Sequence, residues 1–130
     1  MTRCVDVVLD ASALICLIRR EPGWQKVAAY GNSCELSAVN LVEVAHRLFH
    51  HGFPKEQIEP VVVPMVRRVV PLDQELALLT ASVHQATRQS GLSLADCACL
   101  ALGLSRNAAV VTADRAWSEL DLGLKIIQIR

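Results

Sequence analysis

Short apolar runs that alternate with stretches of helical spacing constrain this chain most. Val5 to Leu9 is valine-rich and ends against Asp10, the composition of a strand buried on both faces. Cys34 to Ser37, Arg68 to Leu72, Ala109 to Thr112 and Lys125 to Ile129 read as four more strands. Between them the spacing predicts helices. One runs from Ala11 to Arg20, with Ser12 as its cap and Glu21-Pro22-Gly23 as its stop. Others cover Trp24 to Tyr30 and Asn40 to His51, the latter closed by Gly52. Pro60 and Pro64 break the segment from Pro54 to Val66 into a kinked helix or two short ones. Asp73 caps a long amphipathic helix that reaches Ser90 and stops at Gly91. The helix from Ser93 to Asn107 is apolar almost all round, as expected of a central, buried element. A short helix spans Asp114 to Leu120.

This alternation implies an α/β fold, a small parallel sheet of about five strands with helices on both faces. Residues 1–130 suit one domain, and with 52% hydrophobic residues the chain can build a core. No repeat, low-complexity tract or linker divides it. In such sheets ligands bind beyond the carboxyl ends of the strands, where helix N-termini also gather.

Thirteen basic residues balance thirteen acidic ones. A neutral chain carries no global attraction for nucleic acid, so any nucleic-acid-binding surface has to be a local patch. Apolar runs such as Val61 to Val63 are too short to span a bilayer. Met1 to Asp10 contains an acid within its apolar stretch and offers no small-residue cleavage site, so no signal peptide is read there and a cytoplasmic location is expected. Five cysteines with irregular spacing fit neither a disulfide framework nor a zinc knuckle. Cys97 and Cys99 fall on different faces of their helix. All five read as small buried hydrophobes.

Four acids fall at strand ends or helix starts: Asp10, Glu43, Asp96 and Asp114. Each has a local reading. Asn40 with Glu43, and Ser93 with Asp96, have capping-box spacing, and Asp114 precedes a helix. The fold reading brings all four to one sheet edge. Carboxylates crowded there raise one another's pKa unless a cation is present, and hard oxygen ligands suit Mg2+ or Mn2+.

Asp10-Ala-Ser-Ala-Leu, Asn40-Leu-Val-Glu43-Val, Gly91-Leu-Ser-Leu-Ala-Asp96 and Val111-Thr112-Ala-Asp114 together resemble the PIN-domain nucleases, in particular the VapC-type ribonuclease toxins of bacterial toxin–antitoxin pairs. The resemblance covers nearly the whole chain, in order. It implies an RNase dependent on Mg2+ or Mn2+, with Asp10, Glu43, Asp96 and Asp114 as the acidic quartet and Ser12 and Thr112 as supporting hydroxyls. Asp10 and Asp96 are the expected direct metal ligands. The expected partners are an RNA substrate, a small antitoxin protein and a second copy of the chain. The apolar surplus on the early helices, at Leu14, Leu17, Ile18 and Trp24, points the same way. Two departures leave the number of bound ions open. Ala116 stands near where many relatives carry a further acid, and Asn40 where Ser or Thr is common.

Other features are set aside. Glu43, His46 and His50 share a helical stripe, but a di-iron bundle would need a second Glu-x-x-His helix, and a solvated polar stripe is the reading taken. Trp24 and Trp117 read as core or partner-contact residues. Arg19, Arg20, Arg67, Arg68 and Arg115 read as solvated surface with phosphate contact as the alternative. Two rival functions are carried: a PIN-like binding module that has lost catalysis, and a phosphoacceptor receiver-like signalling domain with Asp73 after its third strand. Receivers have a paired acid after the first strand and a lysine ending the last. Here Asp10 stands alone and Lys125 begins its strand.

Overall fold

The computed structural model describes residues 7–130. Five strands form one sheet in the order β3-β2-β1-β4-β5, and every pairing is parallel. They are β1 (Val7–Leu9), β2 (Cys34–Ser37), β3 (Arg68–Val70), β4 (Ala109–Thr112) and β5 (Ile126–Gln128). The helices are α1 (Ala11–Arg19), α2 (Trp24–Ala28), α3 (Ala38–His50), α4 (Lys55–Val62), α5 (Gln74–Ala86) and α6 (Leu94–Arg106). The α/β fold with a small parallel sheet is therefore as expected. The first two residues of the expected Val5 to Leu9 strand lie outside the described residues.

The sheet winds outward from β1 through β2 to β3, then resumes on the other side of β1 with β4 and β5. Its switch point lies between β1 and β4, the place where open parallel sheets bind ligands beyond their carboxyl ends. Asp10 follows β1 there, and Thr112 ends β4. A receiver-type sheet has the order 2-1-3-4-5, which would set β3 beside β1. In this chain β3 is an edge strand, and Asp73 caps α5 by accepting from the Leu76 amide at 2.9 Å. The receiver reading fails on this topology.

Alternating side chains of the central strands build two cores. Val7, Leu9 and Val111 pack with Leu14, Leu36, Val44, Leu48 and Val62. Val8 and Val110 pack on the other face with Val83, Leu100, Leu102 and Trp117. Helix α6 lies tight on the sheet at Gly103. A Cβ there would stand 2.5 Å from Val110 Cγ2, so only glycine allows this approach.

Several expected boundaries move for local reasons. Helix α3 begins at Ala38, because Ser37 rather than Asn40 is its cap and accepts from the Val39 amide at 3.2 Å. Asn40 and Glu43 therefore sit inside the helix and form no capping box. Ser12 is not the cap of α1: Asp10 occupies that position, and Ser12 lies in the first turn. Helix α5 stops at Ala86, where the Thr87 hydroxyl turns back to the Val83 carbonyl at 2.8 Å; a 3-10 turn at Arg88–Ser90 follows. Pro54 to Val66 forms α4 and a 3-10 turn at Val63–Met65. Arg115–Glu119 is also 3-10 rather than α-helical. Of the apolar residues expected to serve a partner on the early helices, Leu14 is fully buried, and Leu17, Ile18 and Trp24 are partly buried against the core. Among the described residues the exposed large hydrophobics are Val42, Phe49, Val63, Leu72, Leu78 and Leu94. Among the described residues, no helix is long and apolar enough to cross a membrane.

Candidate active site

Asp10 is the buried anchor of the carboxyl edge, only 5% exposed. Ser12 Oγ donates to Asp10 Oδ2 at 2.7 Å, and Thr112 Oγ1 donates to the same oxygen at 3.0 Å. Both hydroxyls are themselves fixed. The Ala113 amide donates to Ser12 Oγ at 3.0 Å, and the Asp114 amide to Thr112 Oγ1 at 3.0 Å. Pairing of β1 with β4 sets Leu9 against Val111, which brings these residues together from opposite ends of the chain. Both donors reach Oδ2, and among the described residues no side chain donates to Oδ1.

Glu43 points from the second turn of α3. Asn40 Nδ2 donates to Glu43 Oε1 at 2.8 Å and to the Ala95 carbonyl at 3.2 Å, so one buried amide ties α3 to the start of α6. The next residue is Asp96. It completes the expected capping box: Ser93 N donates to Asp96 Oδ2 at 3.0 Å, and Asp96 N donates to Ser93 Oγ at 3.1 Å. Asp114 accepts from the Ala116 amide at 3.0 Å and caps its 3-10 turn, also as expected.

All four carboxylates line one cleft of about 280 Å³, together with Ala11, Ser12, Ile15, His46 and Arg47. Burial pushes the Asp10 carboxyl up to about 6. The Ser12 and Thr112 hydroxyls oppose that shift, while the charges of Asp96 and Glu43 add to it. Burial holds the Cys99 thiol well above its ordinary range, and the charges of the same three acids add to that shift. Cys16, Cys34, Cys97 and Cys99 are free and buried, as read from the sequence; Cys4 lies outside the described residues.

Hard oxygen donors fit Mg2+ or Mn2+, and the elevated carboxyl of Asp10 has the chemistry of a site that a cation would relieve. Among the described residues no three His, Cys, Asp or Glu side chains stand close enough to cage an ion by themselves. Mg2+ commonly takes one or two carboxylates and keeps several waters, so the open cleft agrees with that mode rather than with an all-protein cage.

Sequence reasoning missed Arg47, a cation among the four acids; its spacing of four from Glu43 on α3 was the available signal. His46, expected in a solvated polar stripe, also reaches the cleft. Trp117 is fully buried, and Trp24 lies under Arg20, whose guanidinium carbon is 4.9 Å from the ring centroid. Arg19 pairs with Glu21, and Arg115 donates to the Arg130 carbonyl. None of the five arginines singled out from the sequence lines the acidic cleft.

The chain thus has an open parallel α/β fold with a carboxylate-lined cleft at its switch point. The PIN domain family matches it over residues 7–122, and the chain belongs to that family. Solved structures share the fold. A toxin–antitoxin complex from Klebsiella pneumoniae is 16% identical with a TM-score of 0.76, over 96% of this chain and 98% of that one. A DNA-bound VapBC from Salmonella typhimurium is 20% identical with a TM-score of 0.75, over 97% and 99%. VapBC-1 from nontypeable Haemophilus influenzae is 17% identical with a TM-score of 0.69, over 95% and 97%. At these identities the likeness is one of fold. No curated protein matches the sequence.

Proposed function

We propose that this chain is a ribonuclease dependent on Mg2+ or Mn2+ and the toxin of a toxin–antitoxin pair. The observation that carries the reading is the meeting of Asp10, Glu43, Asp96 and Asp114 in one cleft at the switch point. Asp10 and Asp96 are the proposed direct ligands, with Glu43 and Asp114 as further ligands or acceptors that orient water. Ser12 and Thr112 hold Asp10 Oδ2 and leave Oδ1 for the ion. When bound, the ion supplies a water activated near neutral pH and neutralises charge on the phosphate under attack. Arg47, at the cleft and cationic, is placed to meet a neighbouring phosphate.

The complexes named among the structural neighbours support a small antitoxin as partner. A homodimer is proposed on the family likeness. The intact quartet favours catalysis over an inactive binding module. The test is cleavage of end-labelled RNA by purified protein with Mn2+, with EDTA, and by Asp10→Asn. Cleavage that needs the metal and is lost in the variant supports the reading. Equal cleavage by the variant, or none by the wild type under any divalent ion, overturns it.

A further inference from the structure

His46 and His50 lie one turn apart on α3, exposed, with their Nε2 atoms 3.2 Å apart. The rings meet edge to face at 84°, with centroids separated by 4.7 Å. Two neutral imidazoles at that distance share a single proton, one donating and the other accepting. The same separation is what one ion imposes on two imidazoles. Zn–N lengths of about 2.0–2.1 Å at a tetrahedral angle set the two nitrogens roughly 3.3 Å apart. Histidines at i and i+4 on one helix face are also the zinc-binding spacing of helical metalloprotease sites.

We propose that His46 and His50 form a binding site for a borderline divalent cation, Zn2+, Ni2+ or Cu2+, at the edge of the acidic cleft and built from imidazoles rather than from its carboxylates. Donor chemistry divides the two sites. Carboxylates suit Mg2+ and Mn2+, whereas imidazole suits the later transition metals. Among the described residues no third His, Cys, Asp or Glu completes a cage, so water takes the remaining positions. The site is therefore open, and weaker than a structural zinc centre. Its position gives it a consequence. His46 lines the acidic cleft and also an apolar groove of about 620 Å³ between α3 and α4, which Lys55 and Glu59 share. An ion there joins the last two turns of α3 and puts a second cation at the edge of the cleft. This inference does not depend on the proposed nuclease activity.

The test uses the untagged full chain with millimolar Mg2+ present to occupy the acids. Calorimetric titration with Zn2+ should show one ion per chain. His46→Ala and His50→Ala should each weaken binding by at least about tenfold, while Asp10→Asn leaves it unchanged. Both histidines are exposed, so neither substitution threatens the fold. Cu2+ in place of Zn2+ should give an electron paramagnetic resonance spectrum with coupling to two nitrogens. Zn2+ affinity that survives both histidine substitutions, or falls instead with Asp10→Asn, overturns the proposal. So does a Cu2+ spectrum without nitrogen coupling.

Discussion

Thr112 lies 102 residues after Asp10, yet its hydroxyl donates to Asp10 Oδ2 at 3.0 Å. Thr112 is fully buried, and its bond to Asp10 opposes the desolvation that raises the carboxyl. Thr112→Val keeps the shape and removes the donor. The Asp10 carboxyl should then rise further, and RNA cleavage should move to higher pH. The variant loses this bond and the one the hydroxyl accepts from the Asp114 amide, each worth about 1 kcal/mol of stability. Ser12→Ala should act in the same direction. A pH–rate profile that does not move in either variant would separate these hydroxyls from the carboxyl's ionisation.

Asp10 itself sets a stability signature. Its folded pKa of about 6 lies above the ordinary 3.8, so between these values the folded chain holds a proton that the unfolded chain has lost. Stability contributed by the protonated form is complete below the lower value and is lost as pH rises through the upper one, a loss of roughly 3 kcal/mol. In EDTA, Asp10→Asn should be more stable than wild type above neutral pH, and the gap should close on acidification towards the lower value. Denaturant melts across that range measure it. A gap independent of pH would trace the variant's effect to something other than ionisation.

Much of this was legible in the sequence, because buried parallel strands and capped helices leave strong local marks. The strand β4 was placed residue for residue, and Ser93 with Asp96 formed the box that the spacing announced. What failed was local competition. Ser37 outranked Asn40 as the α3 cap, since a strand end immediately before a helix already supplies the extended backbone a cap needs. Thr87 ended α5 early through its own hydroxyl. Long-range charge pairing left no local trace at all. Glu35 on β2 is 4% exposed, and its partner Arg106 is 71 residues away at the end of α6.

That Glu35–Arg106 pair is short, at 2.7 Å, and its two sides are unequally buried. Arg106→Met should cost about 3 kcal/mol, because it leaves a buried carboxylate without its counter-charge. The double variant Glu35→Leu with Arg106→Met should recover most of that loss. Melts of the single and double variants form the cycle. Additive losses would mean that the arginine stem's packing, rather than the charge, is what matters.

Asn40 links Glu43 to the α6 start through one buried amide, while its own Oδ1 is buried without a partner. Asn40→Ala removes two donated bonds and one unsatisfied acceptor, so its stability cost should stay near 1 kcal/mol. Asn40→Asp should cost more, since it sets a second carboxylate against Glu43 and an acceptor against the Ala95 carbonyl. If Glu43 must be held for catalysis, Asn40→Ala loses turnover well beyond its loss of stability, and a turnover loss no greater than the unfolded fraction would deny it that positioning role.

Asp96 has two roles in the structure, and one substitution separates them. Its Oδ2 caps α6 from the Ser93 amide, and its charge helps to hold the Asp10 carboxyl up. Asp96→Asn keeps an oxygen for the cap but removes the charge. The macrodipole term lost at the helix start is a few tenths to about 1 kcal/mol. Relief of repulsion with Asp10 and Glu43 works in the opposite direction. In EDTA the variant should therefore be as stable as wild type or slightly more so, and its Asp10 carboxyl should fall towards the ordinary range. With millimolar Mn2+ the wild type should gain stability by linkage, the variant should gain little, and RNA cleavage by the variant should be abolished. Paired melts beside an RNase assay read all three. An active variant with an undiminished Mn2+ response would reduce Asp96 to a cap and leave Asp10 without its proposed partner ligand.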